Sequence, residues 1–472
     1  MLLASLFLPT LGAVIVSRWR GDAARRNAVV VGFVVAAAAC VVYVALQGAA
    51  YLGPAIATGP SLAWQADGPG QLFCLVAAIL WVPAIIYSLG YMAHGLAVPR
   101  FFAYYLLAFT ATLGVALAAN LVTLYLSYEL LTLVTYPLVI HAGGPAAQAA
   151  GRKYMTYSLL GAGCVLAGLF LTYTQLGHVE FGLVPVPAGP AGGLALSLLI
   201  VGFGVKAALM PLHGWLPAAM VAPTPVSALL HAVAVVKSGV FGIIRCVCSL
   251  YGAANLTALG LSGPLVAAAC LTIIMASVFA LNQDELKRRL AYSTISQLGY
   301  ILLGVFLAQP VAWTGALLHL VNHALLKITL FFCAGIIITV TGRTRVSQLA
   351  GVGRRLPWTM AAFTLASLGM VGVLPTNGFL GKWHLVTGAL AAGHPGVVAV
   401  LALSAVLNAA YYLPIVVTAC FGQGDFAPPD REEALPSMLR PVVLLAAACL
   451  LLGLWPGPAL ALVKAALGGV LP

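Results

Sequence analysis

Pro211-Leu-His-Gly-Trp-Leu216 and Pro375-Thr-Asn-Gly-Phe-Leu380 share the pattern Pro-x-x-Gly-aromatic-Leu, and each interrupts a long apolar run. Proline removes a backbone donor and glycine loosens a helix, so both runs are expected to be broken helices. In lipid, the backbone groups freed by such a break need a polar cavity or a neighbouring helix. The two motifs fall in the seventh and twelfth apolar segments of the chain. They are five apart, an odd number, so two five-helix units bearing the motif would cross a bilayer in opposite directions. That is the pattern of inverted repeats in transporters.

The sequence around these motifs is equally apolar. Of 472 residues, 62% are hydrophobic and 7% charged, against about 25% charged in a typical soluble domain, and mean hydropathy is +1.07. Asn27 to Ala66 and Gly68 to Pro99 contain no Asp, Glu, Lys or Arg. A water-soluble globule is excluded, and an all-α membrane protein is expected. At about 20 residues per crossing, about 14 transmembrane helices fit. They lie near 1–17, 27–50, 69–91, 101–119, 121–141, 154–175, 194–222, 225–249, 263–281, 291–309, 313–340, 358–389, 396–421 and 440–466. The first lacks a leading basic region and a small-residue cleavage site before Arg18, so it reads as a retained helix. The expected organisation is an N-terminal three-helix segment (1–100), a first repeat of helices 4 to 8 (101–249), a second, inverted repeat of helices 9 to 13 (263–421) and a C-terminal helix (440–472).

Lys and Arg number 22 against 10 Asp and Glu, a formal net charge of +12. Such a balance suits nucleic acid, but the placement marks membrane sidedness instead. Loops after odd-numbered helices hold Arg18, Arg20, Arg25, Arg26, Arg100, Arg152, Lys153, Lys287, Arg288, Arg289, Arg343, Arg345, Arg354, Arg355, Arg431 and Arg440. Loops after even-numbered helices hold none apart from Arg245, near the end of helix 8, and Lys464 near the C-terminus. Cytoplasmic loops collect Lys and Arg, so both termini are expected outside. None of the nine cysteines forms a CxxC pair, so any redox chemistry is expected to belong to a partner.

Four lysines, Lys206, Lys237, Lys327 and Lys382, and one acid, Glu129, fall inside the apolar helices. Each costs roughly 2.5 to 3.5 kcal/mol at the centre of an isolated helix. Lysine stems reaching the interface, or satisfied ion pairs, would account for one such residue. Five spread over helices 5, 7, 8, 11 and 12 point to an internal polar path, because leucine serves simple packing better. His319, His323 and Lys327 recur at i, i+4 and i+8, on one face of helix 11. Zinc is disfavoured there, since Leu320 stands where HExxH has its glutamate and no further ligand is evident. A proton relay fits better, because imidazole both accepts and donates near neutral pH. His231 on helix 8 fits the relay and a hydrogen-bonded core histidine equally. A lysine whose carboxylate neighbour moves can switch between holding and releasing a proton, which makes Glu129 and Lys206 a candidate switch.

At these residues the chain resembles the antiporter-like subunits of respiratory complex I, Mrp-type cation/proton antiporters and membrane-bound hydrogenases. The matching stretches are Ser127-Tyr-Glu-Leu-Leu131, Val205-Lys-Ala-Ala-Leu-Met-Pro-Leu-His-Gly-Trp-Leu-Pro217, Pro223-Thr-Pro-Val-Ser-Ala-Leu-Leu-His231, the run from Asp284 to Tyr300, Asn322-His-Ala-Leu-Leu-Lys327 and Gly378-Phe-Leu-Gly-Lys382. The resemblance implies a helix 5/helix 7 pair of Glu129 and Lys206, a hydrophilic axis continued by Lys237 and Lys327, and Lys382 at the end of a second half-channel. Lysine at that last position departs from family branches with glutamate there. The chain ends soon after helix 14, as in the shorter members, such as the D-type Mrp subunit. The implied function is a proton-translocating, antiporter-like subunit of a complex I-like or hydrogenase-like assembly, without a catalytic centre, cofactor or metal of its own. Its implied partners are other membrane subunits, protons and, as an alternative, sodium. Two other roles stay open: the D-type subunit of an Mrp sodium/proton antiporter, and an energy-coupling subunit for inorganic carbon uptake. Its implied place is a bacterial or organellar energy-transducing inner membrane.

Overall fold

The computed structural model describes residues 1–55, 60–182, 189–424, 426 and 433–468. Its helices are α1 (Leu2–Ser17), α2 (Ala23–Gln47), α3 (Gly68–Tyr91), α4 (Val98–Ala116), α5 (Leu121–Val139), α6 (Gly144–Leu176), α7 (Pro190–Lys206), α8 (Trp215–Ala218), α9 (Thr224–Ala232), α10 (Val235–Ile244) and α11 (Gly252–Ala258). The second half holds α12 (Ser262–Leu281), α13 (Leu286–Phe306), α14 (Pro310–Thr341), α15 (Val352–Arg355), α16 (Pro357–Val371), α17 (Gly378–Ala391), α18 (Pro395–Phe421), α19 (Pro436–Leu454) and α20 (Gly457–Leu467). Among the described residues, ten helical stretches are long and apolar enough to cross a membrane, and four shorter apolar helices accompany them.

Local chemistry sets the helix ends. Asp22, Asp67 and Asn120 each accept the backbone N–H three residues on, at the starts of α2, α3 and α5, the N-cap geometry that satisfies an orphan donor. Gly177 and Gly342 close α6 and α14 in the left-handed region, at φ 72° and 69°, where a Cβ would be strained.

Both Pro-x-x-Gly motifs break their helices as expected. After α7 the chain passes through Ala208 at φ 55° and a cis Met210–Pro211 bond before α8 begins. After α16 it passes through Gly372 and a cis Leu374–Pro375 bond before α17. The carbonyls freed at each helix end are taken by donors from the next limb. Trp215 Nε1 donates to Val205 O at 2.7 Å. Lys382 Nζ donates to Met370 O at 2.5 Å and to Val371 O at 2.9 Å. This supplies the partners that broken backbone needs at membrane depth.

Burial sorts the helices into centre and perimeter. Every residue of α9 and α10 is buried, and α13 and α14 are buried almost all round. The outer helices turn large apolar side chains outward, among them Phe170, Val406 and Leu444 at 63 to 66% exposure. Apolar surface of this extent suits lipid or neighbouring subunits rather than water. The most polar transmembrane sequence therefore occupies the middle of the bundle.

Several expectations are corrected. A two-stranded hairpin, β1 (Ala50–Ala55) paired antiparallel with β2 (Ser61–Gln65), joins α2 to α3, where helix was expected up to residue 50. Its edge meets α5, since Ala63 N donates to Thr123 Oγ1 at 2.9 Å. Arg152 and Lys153 lie inside α6, Lys287 to Arg289 inside α13 and Arg440 inside α19, because helices extend past their apolar cores wherever propensity allows. The expected last helix is interrupted at Trp455–Pro456. Arg431 and residues 469–472 lie outside the described residues.

The α12–α13 loop is zipped to the segment after α14. Leu286 N donates to Thr344 O at 2.9 Å and Val346 N to Asp284 O at 2.7 Å. Ser347 donates its backbone N–H and hydroxyl to the Asp284 carboxylate at 3.0 and 2.8 Å. These bonds, the backbone N–H first, hold the Asp284 carboxyl below the usual aspartate value of 3.8. A depressed carboxyl stabilises the fold above its unfolded pKa, and that contribution is lost as pH falls through its folded value. Asp284→Asn is therefore expected to lower the unfolding temperature slightly near neutral pH. The gap to the parent should close below about pH 4, near the unfolded carboxyl value. A gap of constant size across an acid titration in detergent would exclude this role.

Candidate functional site

Six of the eight residues singled out from the sequence meet in the centre of the bundle. Lys237 Nζ of α10 lies 2.8 Å from His323 Nδ1 of α14. His323 is one turn from His319, with ring centroids 6.1 Å apart, and His319 Nε2 lies 2.9 Å from Gln297 Oε1. One turn the other way, Lys327 Nζ donates to Leu290 O at 2.9 Å, to Tyr412 OH at 3.0 Å and to Ser293 Oγ. His231 packs its ring on Phe331 at 4.9 Å, and the charges of Lys327 and Lys287 act on it through space. Lys382 lies 5.1 Å from the Tyr300 ring, whose other neighbour is His319 at 5.4 Å.

Helix periodicity builds this file. His319, His323 and Lys327 form one stripe of α14, and Ser293, Gln297 and Tyr300 form another on α13 at spacings of four and three. The helices run antiparallel, so Lys327 meets Ser293, and His319 meets Gln297 and Tyr300. The α13 stripe escapes the sequence reading, although its polar spacing is a readable signal. Tyr412 of α18 escapes it too. No sequence pattern ties it to Lys327, because only packing brings α18 against α13.

Glu129 and Lys206 stand apart from this cluster. Lys206, at the C-terminus of α7, is fully buried, donates to Tyr128 O at 2.5 Å and lies 3.3 Å from the centre of the Tyr128 ring. Glu129 is half-buried, with Oε1 enclosed and, among the described residues, without a protein partner. Among the described residues no ion pair joins the two, although each charge acts on the other through space. The route from Lys206 toward Lys237 is short in backbone terms. A Cβ on Gly239 would lie 2.6 Å from Phe203 O and 2.9 Å from the Lys206 carbonyl carbon, so only glycine lets α10 approach α7 this closely.

Two cations expected in a loop are buried instead. Lys287 and Arg289 sit in the first turn of α13, at 8 and 9% exposure. Lys287 Nζ donates to Ala222 O at 2.6 Å, and Arg289 donates to Gln283 O and Tyr411 O at 2.7 and 3.2 Å. Arg245, expected as a charge near a helix end, is fully buried too. It forms a two-pronged ion pair with Asp67, the N-cap residue of α3.

Buried polar atoms without protein partners mark the same central region. Both nitrogens of His231, Nδ1 of His319, Nε2 of His323 and Nε2 of Gln297 are enclosed and unbonded among the described residues. Buried polar groups are normally satisfied by protein or water, and a polar cluster of this density suits ordered water. Chemically the site offers amines, imidazoles and hydroxyls, all proton carriers, with no cluster of three or more His, Cys, Asp or Glu able to hold a metal ion among the described residues.

Residues 118–408 match the model of the family described as NADH:quinone oxidoreductase/Mrp antiporter, TM. The chain belongs to this family. NADH-quinone oxidoreductase subunit N of Desulforudis audaxviator is 36% identical over 411 residues, covering 82% of this chain and 80% of that protein. NADH-quinone oxidoreductase subunit L of Mycobacterium tuberculosis is 34% identical over 387 residues, covering 79% of this chain and 60% of that longer protein. A chain of the membrane-bound sulfane sulfur reductase, an archaeal respiratory membrane complex, superposes with TM-score 0.88 at 25% identity, covering 100% of this chain and 98% of that one. Chains of similar fold also occur in the Mrp complex from Dietzia, with TM-score 0.86 at 22% identity, and in respiratory complex I from Thermus thermophilus, with TM-score 0.81 at 25% identity. This chain is thus an antiporter-like, multi-pass membrane subunit of the complex I/Mrp type.

Proposed function

We propose that this chain conducts protons through the bundle along Lys206, Lys237, His323, His319, Lys327 and Lys382, as one subunit of a larger membrane complex whose chemistry or ion gradient supplies the drive. The observation that carries the reading is the Lys237–His323 contact at 2.8 Å in a fully buried site. Two like charges cannot both be held at that distance away from water, so the pair has one more proton site than protons. A shared proton with further carriers on both sides is the unit of a relay. The neighbours are Lys327 with Ser293 and Tyr412, and His319 with Gln297.

In this reading the chain crosses the membrane fourteen times, with two inverted five-helix units at 101–249 and 263–421 between an N-terminal segment, 1–100, and a C-terminal helix, 440–472. The matching breaks after α7 and α16 support it. Glu129 modulates Lys206 from a distance rather than as a fixed ion pair. Both termini lie outside a bacterial or organellar energy-transducing membrane, as the Lys and Arg distribution favours. Sodium is disfavoured as the ion in the central file, because hard cations need several convergent oxygen ligands, and the side-chain oxygens here, on Ser293, Tyr412 and Gln297, are already paired with Lys327 and His319.

The test is co-purification through this chain, reconstitution of the complex into vesicles and measurement of proton movement with a pH-sensitive dye. Glu129→Gln and Lys206→Ala are each expected to slow proton movement while the complex stays assembled. Unchanged movement in both variants refutes the relay. Strict sodium dependence in the parent would favour the sodium/proton antiporter reading.

A further inference from the structure

Lys287 occupies an edge of the molecule that also carries exposed Arg288, Arg343 and Arg345, yet its side chain turns inward to the Ala222 carbonyl at 2.6 Å. That carbonyl also accepts the Ser227 hydroxyl at 3.3 Å. Amine and hydroxyl therefore lie close enough for one water to bridge them. Ser227 and His231 are four apart in α9, on one helix face. His231 is fully buried, and neither of its ring nitrogens has a protein partner among the described residues. The charges that act along this line through space are Glu285 on Lys287, and Lys327 and Lys287 on His231. A buried lysine held by a single carbonyl is poor packing, and an apolar side chain of similar volume would serve stability as well or better.

We propose that Lys287 and Ser227 form a proton inlet, joining the surface that bears Arg288, Arg343 and Arg345 to His231 and so to the Lys327–His323 cluster. The inference rests on the proton-conducting reading above. Lys287 Nζ passes a proton through a bridging water to the Ser227 hydroxyl as that hydroxyl, turning from the Ala222 carbonyl, gives up its own through a second water to a His231 ring nitrogen, and Lys287 is reprotonated from the aqueous face. Only N–H and O–H bonds form and break, and no electrons are exchanged.

The experiment uses the reconstituted complex, with Lys287→Met, Lys287→Arg, Ser227→Ala and Lys327→Met compared at matched complex content. Lys287→Met is expected to slow proton movement by about 10²-fold, the low end of the span for one proton-transfer group. Methylamine or imidazole supplied on the Lys287 face should restore part of the rate. Arginine keeps the charge and the donor but does not release a proton at working pH, so Lys287→Arg should be as slow as Lys287→Met. Ser227→Ala should slow movement several-fold, and it carries the test alone should Lys287→Met fail to assemble. Full movement in Lys287→Met, or full recovery in Lys287→Arg, overturns the inlet and leaves Lys287 a structural cation. If Lys327→Met is also undiminished, the proton-conducting reading itself fails. If Lys327→Met is slow while Lys287→Met and Ser227→Ala are not, only the inlet is lost.

Discussion

Lys237→Met is expected to reduce proton movement by the assembled complex by about 10²-fold, with little loss of folded protein. Lys237 is fully buried in α10 and its ammonium meets His323 Nδ1. Methionine keeps the length and apolar stem, removes the proton carrier and strands no opposite charge, so the fold has no buried carboxylate to leave unpaired. Its thioether is a weak acceptor only, and His323 would lose the partner with which it shares a proton. Arginine at the same position keeps a cation but holds its proton, and is expected to be nearly as slow. Vesicle acidification at matched complex content measures both variants. Rapid movement in Lys237→Met would place the proton route elsewhere in the bundle.

Asp67→Ala is expected to give the largest loss of stability among these substitutions, about 3 kcal/mol. Arg245 is fully buried, at the start of a π-helical turn spanning Arg245–Tyr251, between the rings of Phe181 and Phe241 at 4.9 and 5.0 Å. Its neutralising partner is Asp67, which also accepts Gly70 N at the start of α3. Removing the carboxylate leaves a guanidinium enclosed without its counter-charge and takes away the N-cap as well. The Asp67 side chain is 30% exposed, so the lower end of the range for broken buried pairs applies. Thermal unfolding in detergent should show the loss. The double change Asp67→Ala with Arg245→Met should recover most of it, since the stranded charge is then gone. Equal unfolding temperatures for the parent and Asp67→Ala would show that water already solvates Arg245 in the folded state.

The functional residues are legible to different depths. Lys206, Lys237, Lys327 and Lys382 announce themselves because a lone amine in an apolar run is conspicuous, and His319, His323 and Lys327 because their spacing places them on one helix face. Ser293, Gln297 and Tyr300 share that kind of spacing but are uncharged, and serines and tyrosines in membrane helices are common enough to pass unremarked. Lys287 and Arg289 mislead because charges next to Asp284 and Glu285 look like a loop, whereas α13 begins at Leu286 and buries both.

From the sequence by itself came the membrane, the broken seventh and twelfth segments and the inventory of ionisable groups that must avoid lipid. These are local properties: apolar run length, a proline with a glycine three residues on, and a charge with no soluble neighbourhood. Which amine meets which imidazole, that Lys206 rests on Tyr128 rather than on Glu129, and that Arg245 reaches across 178 residues to Asp67 were decided by the tertiary structure alone. Those contacts depend on the rotation and depth at which one helix packs against another. A 3.6-residue period gives the face of a helix but not the partner that covers it.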